Sequence, residues 1–107
     1  MALVTPEDAY LLQPRAEAYE AAGSDLDASL LELVLDQLPQ HETTHHHTWQ
    51  EATRAVIDGS ARAAVLLRPV TVDQIAEWAT ARRRMPPKTT YFSPKPRTGM
   101  VFRSLEL

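Results

Sequence analysis

The chain has 107 residues, 44% hydrophobic and 23% charged, with a formal net charge of −3. That balance fits one globular domain, residues 1–107, with its own core, and excludes a disordered chain. With no cysteine, disulfides and thiolate metal sites are excluded, and no window approaches the ~20 apolar residues of a membrane span.

The opening residues Met1–Tyr10 lack the basic and apolar regions of a signal peptide. Together with the missing cysteines, this leads us to expect a cytoplasmic protein with no membrane attachment. Ala9–Arg15 reads as a short strand ended by Pro14, which removes a ladder donor. A weak helix over Arg15–Ala22 is stopped by Gly23. The clearest helix runs over Asp27–Leu38, with Asp27 suited to the N-cap and Leu26 and Leu31 at hydrophobic-staple spacing. Its apolar stripe is Leu30, Leu31, Val34 and Leu38, and Pro39 ends it.

His41–Thr48, short and polar, reads as an edge strand. Thr48 and Glu51 have capping-box spacing for a helix to Asp58, with Ala52, Ala55 and Val56 inward and Gly59 as its left-handed stop. Arg62–Arg68 is the best strand: short, apolar and set between Gly59 and Pro69, it reads as a central strand buried on both faces. A second capping box, Thr71 to Gln74, opens a helix whose inner face is Ile75, Trp78 and Ala79. Arg82, Arg83 and Arg84 fall in its last turn, at the negative end of the helix dipole, and Pro86 and Pro87 forbid more helix. Thr89–Phe92 and the alternating Met100–Leu107 read as strands joined by a turn over Pro94–Gly99. The order β-α-α-β-α-β-α-β-β predicts an α+β fold, a small mixed sheet of three to five strands with helices packed on it.

Charge is distributed unevenly. Residues 1–77 carry four Lys/Arg and thirteen Asp/Glu, a balance of −9, while residues 78–107 carry seven and one, a balance of +6. Arg82–Gly99 alone holds six of the eleven Lys/Arg and four of the eight prolines, with no acid. Prolines fix φ and lower the entropy lost on ordering, and Thr89, Thr90, Ser93 and Thr98 place hydroxyls among the cations. Stiff, cationic and hydroxyl-rich is a recipe for holding phosphate or carboxylate. The alternative is a rigid surface loop that pairs with the acidic first half of the chain.

Other chemistry finds less support. His41, His45, His46 and His47 suggest a metal site, since His45 and His47 would share one face of a strand, but no firm third ligand stands near and we expect no metal. There is no nucleophile elbow and no glycine-rich phosphate loop, and three glycines cannot build a pyrophosphate cradle, so no cofactor is expected. The basic residues with Tyr91 and Phe92 could stack nucleic acid, but the overall acidity argues against a dedicated binder.

The segment Arg83–Glu106 resembles the terminal signature of a bacterial family known as domain of unknown function 1015. The matching residues are Met85, Pro86, Pro87, Lys88, Thr89, Thr90, Phe92, Pro94, Lys95, Thr98, Gly99, Met100 and Val101. Asp25–Leu38, Thr48–Asp58, Ala63–Val70 and Thr71–Arg84 are similar to the elements that precede that block in the family. Two departures stand out. Family members are several times longer, and their Asp-Gly-His-His-Arg motif, similar to one in ParB and sulfiredoxin-like nucleotide-binding domains, is absent: His45, His46 and His47 are followed by Thr48. The resemblance therefore implies a C-terminal portion, without an assigned activity.

The reading that follows is a non-catalytic C-terminal domain whose basic Pro/Thr segment contributes an anion or nucleotide-phosphate site. Lys88 and Lys95 are the expected charge donors, Arg97 the planar fork, and Thr89 and Thr90 the hydroxyl donors. Its partners would be a phosphate-bearing small molecule and the remainder of the family protein. One alternative is a structural docking or dimerisation module, with a second copy as partner. The other is a small nucleotide-dependent enzyme.

Overall fold

In the computed structural model, which describes residues 1–90, the chain opens with a hairpin of which the sequence announced one arm. Strands β1 (Ala2–Val4) and β2 (Ala9–Leu11) run antiparallel. Thr5 closes the turn between them. Its N–H donates to the Asp8 carbonyl at 2.8 Å, its hydroxyl to the same carbonyl at 3.1 Å, and its Oγ1 accepts from the Asp8 N–H at 3.1 Å. Pro6, with φ already fixed, sits inside that turn.

Strand β3 (Ala64–Leu66) pairs with the other side of β1, also antiparallel, in the order β2-β1-β3. The described strands are thus all antiparallel, where a mixed sheet was expected. The position expected for the Arg62–Arg68 segment also changes: among the described strands it lies at an edge, and β1 takes the centre. Only Ala64 of β3 is buried. The apolar run reflects what α3 covers, not burial on both faces.

Four helices complete the described chain, and the fold is α+β. Helix α1 (Ala16–Ala22) ends at Gly23, whose φ of 62° lets its N–H reach the Tyr19 and Glu20 carbonyls. Helix α2 (Asp27–Leu35) stops three residues short of the expected Leu38. Its end is tightened by bonds spanning three residues, from the Gln37 N–H to the Val34 carbonyl and from Leu38 to Leu35, both 3.1 Å. Of the expected stripe, Leu30 is buried and Leu31 half-buried, while Val34 and Leu38 are exposed.

The expected edge strand at His41–Thr48 does not form; these residues are exposed and belong to no sheet. Polar on both faces, they offer no side to bury. Helix α3 (Trp49–Ile57) begins where predicted, with the Thr48 hydroxyl accepting from the Glu51 N–H at 3.2 Å, and Val56 is buried with Ala52 and Ala55 half-buried. Helix α4 (Val72–Thr80) has a complete capping box. The Thr71 hydroxyl accepts from the Gln74 N–H at 3.1 Å, and the Gln74 side-chain oxygen accepts from the Thr71 N–H at 2.9 Å.

The core of the described residues is Leu26 and Leu30 at the start of α2, Val56 of α3 and Ala64 of β3. Helix α3 packs on β3 and α1 on α2. Each fully buried Leu or Val contributes about 1.5–3 kcal/mol relative to exposure, and polar cross-links add to this. Asp27 supplies the principal one. It is not the N-cap predicted for it: Leu26 holds that position without a side-chain cap, and Asp27 is the first helical residue. Its buried carboxylate instead accepts from Arg68, whose backbone N–H, Nε and Nη2 stand at 2.8, 3.0 and 2.7 Å. The Met1 amino group lies 3.6 Å from the same carboxylate. Gln74 adds a tie to the neighbouring Asp25 at 3.2 Å. The start of α2 is in this way fastened to the link between β3 and α4.

Candidate functional site

The basic segment begins where α4 ends, and the geometry of that ending sets where its cations point. Helix α4 stops at Thr80 with Ala81 as C-cap. Arg82 then adopts φ 53°, its N–H bonds the Ala79 carbonyl at 3.0 Å, and the Arg83 N–H bonds the Trp78 carbonyl at 2.9 Å. This is the Schellman ending, with an arginine where glycine is usual. The three arginines therefore leave the helix and do not form its last turn, as the sequence had suggested. The left-handed residue turns the chain so that the Arg83 guanidinium lies over the Trp78 ring, 4.2 Å from its centre, and its Nη1 reaches the Gly23 carbonyl at 3.5 Å.

Beyond Arg83 the chain forms one wall of an open cleft of about 500 Å³. Arg84, Met85 and Pro86 line the cleft, as do Glu32 of α2 and Asp36, the C-cap of that helix. The cleft is mixed in charge. No ion pair joins its carboxylates to its arginines among the described residues; the two ion pairs found there both end on Asp27.

The predicted ligand-binding residues are divided. Lys88, Thr89 and Thr90 are described; Lys95 and Arg97 lie outside the described residues, as do Tyr91–Phe92 of the strand expected at Thr89–Phe92 and the whole of that expected at Met100–Leu107. Lys88 is exposed in a turn after Pro87 and has φ 61°, a left-handed conformation that a lysine adopts only at a cost of about 1–2 kcal/mol. The half-buried Thr89 hydroxyl donates to the Pro86 carbonyl, so its one proton is spent on the turn. Thr90 is exposed. Of the two expected hydroxyl donors, only Thr90 has its proton uncommitted among the described residues.

His45 and His47, the weak metal candidates, lie in the exposed segment before α3. No three His, Asp or Glu side chains gather into a metal-binding group among the described residues. No helix of the described residues is long and apolar enough to cross a membrane.

Sequence reasoning missed the stack of Arg83 on Trp78. Five residues apart, the two do not share a helix face, and they meet only because Arg82 reverses the backbone. The pairing of Arg68 with Asp27 was missed too, since no local spacing signals a contact across forty-one residues.

No family model, curated protein or solved structure matches this chain.

Proposed function

We propose that this chain is a non-catalytic binding domain whose Arg82–Gly99 segment holds an anion, with a phosphate-bearing small molecule as the class of ligand. The observation that carries the reading is the state of Arg82, Arg84 and Lys88. All three are exposed, and none is paired with a carboxylate among the described residues. Neutralisation by the acidic first half would have placed Glu32 or Asp36 on Arg84 in the cleft, and it does not. Cations held close together repel, by about 1 kcal/mol per pair at 4 Å in water, and an anion relieves that cost.

In this reading Lys88 and Lys95 supply charge, Arg97 a planar fork and Thr90 a hydroxyl donor; Thr89 mainly fixes the turn on which Lys88 stands. The family resemblance adds that the segment belongs to the C-terminal portion of a longer protein and completes its site with that remainder. Calorimetric titration of inorganic phosphate and of ATP into the parent chain and into Lys88→Ala/Lys95→Ala tests the site. Weaker binding by the double variant with little change in melting temperature is expected; equal binding by the two proteins refutes it. Alanine retains Cβ, so Lys88→Ala leaves the backbone cost of the turn in place and removes only the charge.

A second reading, self-association, is favoured by a separate observation. Tyr10, Leu11 and Leu12, on and just after β2, are 51, 87 and 39% exposed. A run of apolar side chains on an outer strand is uncommon in a monomer.

A further inference from the structure

We propose that the outer edge of β2 pairs antiparallel with the same strand of a second copy, so that one sheet runs through a two-fold dimer. The proposal rests on the self-association reading and is independent of the anion site.

The hydrogen-bond pattern of the hairpin shows which groups β2 has to offer. Leu12 and Met1 exchange main-chain bonds, the Thr5 N–H bonds the Asp8 carbonyl, and the register places Tyr10 opposite Leu3. In an antiparallel ladder such pairs alternate, so Asp8, Tyr10 and Leu12 face β1. The N–H and C=O groups of Ala9 and Leu11 therefore point the other way, to the outer edge, where no described strand meets them.

A two-fold axis beside Tyr10 satisfies all of them. Ala9 of one copy then faces Leu11 of the other, and each such pair exchanges two hydrogen bonds. The two Tyr10 side chains become direct cross-strand neighbours on one face, a favourable aromatic pair. Leu11, the most exposed side chain of the strand, gains cover on the other.

Charge chooses the direction. Glu7 and Asp8 precede the strand and Arg15 follows it. Antiparallel pairing sets the acidic end of one copy beside the basic end of the other, twice by symmetry; parallel pairing would stack like charges. Pro6 and Pro14 bracket the segment, and neither can donate to a ladder. They confine pairing to the residues between them and so fix its register. Charge or proline within an outer strand discourages pairing with another chain; Ala9–Leu12 contains neither, and only the three-residue length of β2 limits the edge.

Sedimentation velocity on the full chain over a range of concentrations tests the dimer. The parent is expected to dimerise. Ala9→Pro, which removes one outward N–H and no bond to β1, is expected to be monomeric with an unchanged circular dichroism spectrum. Glu7→Arg alone should weaken the dimer by roughly two- to fivefold per contact, and Glu7→Arg with Arg15→Glu should restore it. A parent that stays monomeric throughout overturns the self-association reading itself. A dimer that survives in folded Ala9→Pro, or a charge swap without rescue, overturns the β2 edge and leaves self-association to another face.

Discussion

Arg68 closes on Asp27 with its backbone and its side chain together: the N–H, Nε and Nη2 all donate to one buried carboxylate, at 2.8, 3.0 and 2.7 Å. The guanidinium end stays open to solvent while the acid is enclosed, with side-chain exposures of 60 and 2%. Asp27→Ala would leave the Arg68 N–H without its acceptor and remove the link between β3 and α2. A loss of about 1–3 kcal/mol is expected, chiefly from the unsatisfied Arg68 N–H, since the guanidinium that remains is solvated. Urea denaturation measures it. A change below about 0.5 kcal/mol would show that the link carries little of the stability.

The same contact sets a pH dependence. Burial disfavours the Asp27 charge, but the hydrogen bonds from the Arg68 side chain and backbone, with the nearby positive charges, outweigh it and hold the carboxyl below its ordinary value. A group depressed in the folded state contributes stability above its unfolded value, about 3.9, and that contribution is lost as pH falls through the folded value. Stability should therefore fall below about pH 4, and the fall should be shallower in Asp27→Asn. Asp58 is lowered as well, by hydrogen bonds from Ser60, so the variant should keep some slope. Denaturation midpoints from pH 2 to 7 check this.

Arg82 occupies the left-handed position that ends α4. Arg82→Gly should stabilise the chain by about 0.5–1 kcal/mol, the relief of backbone strain less the added freedom of the unfolded glycine. A thermal scan would show a rise of a few degrees. A fall would mean that the arginine side chain contributes more than its backbone costs.

The capping box fixes the start of α4. Thr71→Ala removes the acceptor for the Gln74 N–H, and a loss of about 1 kcal/mol is expected. Gln74→Ala also breaks the bond to Asp25, so its cost should be the larger of the two, measured again by urea denaturation.

What could be read from the chain alone followed local chemistry. The Thr48 and Thr71 caps, the stops at Gly23 and Gly59, and the inward Val56 all depend on residues within a few positions of each other, and they stand where expected. Strand β1 was missed because three apolar residues after Met1 carry no period, and its two partners come from the Thr5–Asp8 turn and from β3, some sixty residues away. The role of Asp27 was misjudged because a carboxylate at a helix start suits a cap or a distant arginine equally well, and local spacing cannot choose. For the candidate site, the charge asymmetry was plain in the sequence. The commitment of the Thr89 hydroxyl and the reversal at Arg82 were not, since both follow from left-handed residues that are not glycine.

The most direct test of the anion reading is an amide chemical-shift titration of the full chain with inorganic phosphate. Saturable shifts confined to Lys88, Thr90, Lys95, Arg97 and their neighbours, weakening as salt is raised, are predicted. Shifts no larger there than at Arg15 and Arg54 would contradict it.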